Sequence, residues 1–233
     1  ARTSPAGGPE DVRRRGRYCL VLVALVAAVA VAGPELELRV GDFRQGLEGW
    51  RAREFNGVTT YRLATLDGEQ VLEAHAAGTA SALFNEIRVD PAQTPWLSWR
   101  WRVDSTFGSD TDERRRSGDD YPARIYVVRS GGLAWWRTRA LNYVWASGQP
   151  EGARWSSAYA GDNVQLIALD SGTGRAGEWV HHARDLRADW REAFGEELDR
   201  LDGIALMTDA DDTGGSVRAW YADIRLSSAP AGR

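Results

Sequence analysis

The sequence predicts a mostly β protein, an antiparallel β-sandwich with one short helix near the C-terminal third. Three observations carry this. Beyond residue 33 the apolar side chains recur at period two. In Trp96-Leu97-Ser98-Trp99-Arg100-Trp101-Arg102-Val103, for example, Trp99, Trp101 and Val103 share one face and Ser98, Arg100 and Arg102 the other. Turn clusters interrupt the chain at short intervals: Leu66-Asp67-Gly68, Asp90-Pro91, Ser130-Gly131-Gly132 and Asp170-Ser171-Gly172-Thr173-Gly174. Only residues 187–198 carry clear helical spacing, through Trp190, Ala193, Phe194 and Glu197, with Asp185 or Asp189 available near the N-terminus.

In chain order, the first 33 residues are expected to be a signal peptide. Arg13, Arg14, Arg15 and Arg17 precede an apolar run over residues 19–32. Ala30-Val31-Ala32 offers a small-x-small cleavage site before Gly33-Pro34. The run of 14 residues is too short to cross a bilayer as a helix. A periplasmic or secreted protein with no stable membrane span after cleavage is therefore expected. An uncleaved N-terminal anchor is the other reading of the same run. The sequence begins at Ala1 and not at methionine, so a start further upstream is expected.

Residues 34–233 are expected to form a single β-sandwich domain, a length that can bury one sizeable core. Alternation places strands over residues 82–89, 124–128, 141–145, 164–169 and 217–226. Two polar stretches, residues 104–120 and 149–161, read as long loops.

Composition excludes several function classes. The one cysteine, Cys19, lies in the apolar run, so the remainder has no thiol for catalysis, zinc or disulfides. All 29 basic residues are arginine. Residues 1–32 hold five of these and two acids, leaving 24 Arg against 31 acids, a net of about −7. That balance disfavours nucleic acid as a partner. No Gly-x-Ser-x-Gly elbow, phosphate loop, dinucleotide fingerprint or His-Glu-x-x-His is present.

Three clusters can carry chemistry. Asp119-Asp120-Tyr121-Pro122-Ala123-Arg124 feeds a polar turn into a strand. Paired carboxylates beside a guanidinium can bind a cation, orient a sugar hydroxyl or set up acid–base work; the same residues can simply cap backbone amides. Asp209, Asp211 and Asp212, with Thr208, Thr213 and Gly214-Gly215, form an oxygen-only set of the kind calcium prefers, or else a solvated hairpin turn. Among the 11 tryptophans, Trp99, Trp101 and Trp220 read as core, whereas Trp135, Trp136 and Trp155 sit beside loops and are candidate sugar platforms. The expected ligand set is Arg100, Arg102, Asp119, Asp120, Arg124, Tyr126, Trp135 and Trp155, with calcium at Asp209, Asp211 and Asp212. His75, His181 and His182 read as satisfied structural residues, the last two pointing to opposite faces of a strand.

Two resemblances follow. Gly41-Asp42-Phe43-Arg44-Gln45-Gly46-Leu47-Glu48-Gly49-Trp50 resembles the first strand of galactose-binding-like jelly rolls, and Trp220-Tyr221-Ala222-Asp223-Ile224-Arg225-Leu226 their closing strand. The resemblance implies a jelly-roll sandwich, carbohydrate binding and a structural calcium between the terminal strands; Arg44 stands where that calcium would need an acid. Ser98-Trp99-Arg100-Trp101, the segment from Gly118 to Val128, Leu141-Asn142-Tyr143-Val144-Trp145 and Met207-Thr208-Asp209-Ala210-Asp211-Asp212-Thr213-Gly214 resemble, in that order, an exported bacterial family known only as domain of unknown function 3047. That family implies an exported protein and supplies no catalytic residue. The functional expectation is a non-catalytic module for carbohydrate or cell-envelope polysaccharide. A glycan hydrolase or lyase using Asp119 or Asp120, and an envelope scaffold without a small ligand, are the alternatives.

Overall fold

A computed structural model describes residues 35–230. The expected signal peptide lies outside the described residues, as does the side chain of Trp135. The strands are β1 (Glu37–Gly41), β2 (Trp50–Asn56), β3 (Thr60–Leu66), β4 (Glu69–Ala77), β5 (Ala80–Val89), β6 (Trp96–Val103) and β7 (Ala123–Arg129). They continue with β8 (Arg139–Ala146), β9 (Arg154–Ser157), β10 (Gly161–Ser171) and β11 (Val180–Asp185). Helix α1 (Leu186–Phe194) precedes β12 (Leu201–Asp209) and β13 (Ser216–Ser227).

These strands make two sheets. One runs β11-β6-β13-β4-β3, with β1 also on β13; the other runs β2-β5-β12-β7-β8-β10-β9. All pairings are antiparallel except β8 with β10, which are parallel and joined by the excursion through β9. The fold is the expected mostly β, antiparallel jelly-roll-type sandwich with one short helix.

Alternation explains the core. In β6, Leu97, Trp99, Trp101 and Val103 turn inward, and from the facing sheet Ile125 and Val127 of β7 and Leu141, Tyr143 and Trp145 of β8 meet them. The Trp99 and Tyr143 rings lie 5.3 Å apart across the two sheets, and Trp101 and Trp145 6.3 Å apart. The buried Asp170 is well partnered: it accepts from the Trp101 indole at 2.6 Å and contacts His182 at 2.7 Å. His182 therefore is a satisfied structural histidine, while His181 on the opposite face is exposed.

Two expectations need correction. The segment expected as a first strand, from Gly41 to Trp50, is mostly a turn. Asp42 draws in Arg44 at 2.8 Å and Gln45 at 3.2 Å, and Gly46 and Gly49 adopt φ of 100° and 83°. The helix is also shorter at its C-terminal end than residues 187–198. Asp185 caps it by accepting from the amides of Arg187 and Ala188, and Gly195, in the left-handed region, stops it.

Candidate functional site

The seven-stranded sheet turns one face to the core and the other to a groove of about 1410 Å³. Its floor follows from register. Phe84 of β5, Ala205 of β12, Tyr126 of β7, Asn142 of β8 and Leu166 of β10 make one row across five strands. The next row is Ala82, Met207, Arg124 and Val144. Small residues (Ala80, Ala82, Ala140 and Ala205) hollow the floor, and Tyr126 packs across Ala80, Ala82 and Met207. Gly203 makes room for Phe84, since a Cβ there would lie 2.3 Å from the phenyl ring.

One end of this groove is acidic. Asp119, Asp209, Asp211 and Asp212 line it. Asp209 makes a direct ion pair with Arg124, both side chains buried, and its other oxygen accepts from the Tyr121 amide at 3.1 Å. The Arg124 guanidinium lies over the rings of Tyr121 (4.8 Å) and Tyr126 (5.6 Å). Asp119 accepts from the Tyr121 hydroxyl at 3.0 Å, Asp211 from the Asn56 amide at 3.0 Å and Asp212 from the Tyr159 hydroxyl at 2.5 Å. Phe55 and Tyr159 flank this end as exposed rims, 59% and 54% accessible.

Asn142 was not expected from the sequence. It is 1% exposed and leaves its Oδ1 without a partner, while the neighbouring Tyr126 hydroxyl is directed at Met207 Sδ at 3.9 Å; Arg124 Nε is likewise unpartnered. Orphaned polar atoms in a buried floor are costly unless a ligand or water meets them. An asparagine amid apolar neighbours in Leu141-Asn142-Tyr143-Val144-Trp145 was the available signal.

Burial raises the Asp119 carboxyl above its ordinary value, opposed by Arg124 and Tyr121. Burial likewise raises Asp212, with Asp211 and Asp120 adding like-charge repulsion. A carboxylate raised in the folded state binds protons on folding. Its contribution is full below the ordinary value and is lost as pH climbs through the raised one. Asp119→Asn is therefore expected to flatten the loss of stability as pH rises above about 4, read by urea unfolding at each pH. A slope equal to that of the parent would contradict it.

The expected ligand set divides. Asp119, Arg124 and Tyr126 meet in the groove. Asp120 turns away and accepts from the amides of Asp212 (3.3 Å) and Thr213 (2.6 Å), holding the turn after β12. Arg100 and Arg102 do not join them. They lie on the outer face of the other sheet, Arg100 paired with Glu69 and Asp223 over Trp179, Arg102 paired with Asp67 over Trp220. Trp155 is no platform. Register with Leu166 puts it on the groove side of the sheet, but there it is buried to 7% exposure in a satellite cluster with Tyr121, Val144 and Ala168. Trp136, by contrast, is 59% exposed.

The residues expected to hold calcium do not all come together. Asp209 is committed to Arg124, and the carboxylates whose oxygens converge within 4.8 Å are those of Asp120, Asp211 and Asp212.

A family model described as "Protein of unknown function (DUF3047)" matches residues 48–225. No curated protein matches the sequence with significance. Among solved structures, the family 30 carbohydrate-binding module of a cellulosomal cellulase of Clostridium thermocellum is similar at a TM-score of 0.47 and 10% identity. That match covers 83% of this chain and 98% of that one. A family 29 carbohydrate-binding module matches at TM-score 0.40 and 11% identity, over 84% of this chain and 87% of that one. A module described in complex with β-1,4-galactotriose matches at 0.38 and 13%, over 79% and 92%.

Proposed function

The chain belongs to the DUF3047 family, whose description assigns no activity, and from its own groove we propose an exported, non-catalytic module that binds an extended glycan. The observation that carries this is the floor. A wide concave surface presents floor rings (Phe84, Tyr126) and rim rings (Phe55, Tyr159) beside hydrogen-bonding atoms without partners, Asn142 Oδ1 and Arg124 Nε. A sugar offers the complement, C–H faces for the rings and hydroxyls for the polar atoms. The groove is open and spans several strands, which suits a chain more than a single small molecule. A calcium ion held by Asp120, Asp211 and Asp212 would tie the turn after β12 to the loop before β7.

The test is a panel of bacterial and plant glycans offered to the protein with calcium and again with a chelator, with Tyr126→Ala and Asn142→Ala alongside. At least one glycan class is expected to bind, and each substitution to weaken it by about tenfold or more, the worth of a buried polar or stacking contact. Retention on no glycan in either condition would overturn the reading.

One observation favours a second reading. Asp119 and Asp212 both line the groove with raised carboxyl pKa values, as a general acid requires. On that reading a bound glycan is cleaved, and Asp119→Asn abolishes turnover while leaving binding intact.

A further inference from the structure

We infer that the glycan taken by this groove carries protonated amines, an amino sugar lacking its N-acetyl group, with ammonium groups seated among Asp119, Asp211 and Asp212. The inference rests on the reading of the groove as glycan-binding and narrows it to a substrate class.

Charge balance is the first argument. Among the described residues, Arg124 neutralises Asp209, and no ion pair reaches Asp119, Asp120, Asp211 or Asp212. Their hydrogen bonds all come from neutral donors: the hydroxyls of Tyr121 and Tyr159, the Asn56 amide, and the backbone amides of Asp212 and Thr213. Nearby basic side chains are otherwise engaged. Arg53 lies over Phe55 at 5.5 Å, and Arg116 lies over Tyr159 at 4.8 Å with its Nε donating to the Ala158 carbonyl. Four carboxylates in one place, two of them deeply buried, leave a negative potential that a cationic ligand relieves and an anionic one worsens.

The second argument is independent of the acids. Asn142 Oδ1, on the floor beside Tyr126, is a buried acceptor with no donor. It takes N–H or O–H from a ligand and offers nothing to a carboxylate or sulfate. An ammonium or a sugar hydroxyl can meet it, and the exclusion of uronates and sulfated glycans comes from the acidic end.

The rims supply the third. Phe55 and Tyr159 stand on either side of the acidic end, tied there through Asn56–Asp211 and Tyr159–Asp212. With Arg53 and Arg116 over them, these rings offer a sugar apolar contact and leave its ammonium to the carboxylates. An N-acetyl group would remove the charge and add bulk at the same place.

The full chain is titrated, in chelator and at mildly acidic pH where the amines are protonated, with four oligosaccharides: β-1,4-linked glucosamine, its N-acetylated counterpart, a neutral β-glucan and an oligogalacturonate. Chelator is needed because calcium and ammonium are alternative occupants of the same carboxylates. The glucosamine oligomer is expected to bind about tenfold to a hundredfold more tightly than the N-acetylated and neutral ones, the range for hydrogen bonds to charged groups. The oligogalacturonate is expected to bind least. In the doubly substituted chain Asp211→Asn/Asp212→Asn the preference is expected to collapse while any affinity for the neutral oligomer is kept, which shows that the groove is still folded. Equal or tighter binding of the neutral or N-acetylated oligomer overturns the inference and leaves the glycan groove standing. A preference unchanged in the double variant also overturns it. No binding of any oligomer overturns the glycan reading itself.

Discussion

Arg124→Met is expected to cost about 3–5 kcal/mol of stability, the penalty for stranding one partner of a buried ion pair. Arg124 and Asp209 are 6% and 2% exposed, and without the guanidinium the Asp209 carboxylate keeps only the Tyr121 amide at 3.1 Å. Asp209→Leu is expected to cost a similar amount, since it strands a guanidinium whose Nε already lacks a partner. The double variant Arg124→Met/Asp209→Leu is expected to recover most of the loss, because two apolar side chains need no solvation. Recovery should be incomplete, as the Tyr121 amide loses its acceptor. Urea unfolding of the four proteins closes the cycle. Single variants that each cost under about 1 kcal/mol would mean that water, and not the partner, solvates these charges.

A comparable loss is expected at Glu113, a residue with no part in the groove floor. Its buried carboxylate accepts from three successive amides, those of Ser147, Gly148 (3.2 Å) and Gln149 (2.9 Å). The same turn approaches the loop so closely that a Cβ at Gly148 would lie 2.3 Å from the Thr111 carbonyl. Glu113→Ala orphans all three donors and is expected to cost roughly 4 kcal/mol, at about 1–3 kcal/mol for each buried amide, partly relieved by water. Glu113→Gln keeps one acceptor and is expected to cost less than half of that. The loss should reach the groove as well, because the loop Glu113 anchors carries Asp119 and receives the Tyr121 hydroxyl at the Glu113 carbonyl. A melting temperature for Glu113→Ala within a degree or two of the parent would contradict this account of the loop.

Much of the sandwich is legible in the sequence because its core strands alternate cleanly. Trp99 and Trp101 against Arg100 and Arg102 fix the inward face of β6 without any structure. Alternation fails at β12, which has no polar face to announce it. Ile204 and Leu206 fill the core, while Ala205 and Met207 floor the groove. Asp209 accordingly belongs to the end of a strand instead of a turn, and the carboxylates that converge are those of Asp120, Asp211 and Asp212.

Alternation also tells which residues face outward but not from which sheet. By alternation alone Arg100 and Arg102 group with Arg124 and Tyr126, although the core separates them. Asp119 and Asp120 illustrate a finer limit: neighbours on a bend diverge, one to the groove and one to the turn amides. Trp155 reads as exposed because its segment is loop-rich. Only the pairing of β9 on β10 shows that it is buried against Tyr121, Val144 and Ala168 at the side of the groove.

The central claim is that the outer face of the seven-stranded sheet is the binding surface. Titration of an isotope-labelled protein with the glucosamine oligomer, followed through backbone and side-chain amide shifts, tests it most directly. The account predicts perturbations concentrated at Phe84, Arg124, Tyr126, Asn142 and Met207 and at the rims near Phe55 and Tyr159. Shifts gathered instead around Arg100, Arg102, Trp179 and Trp220 would place the binding surface on the opposite sheet and contradict it.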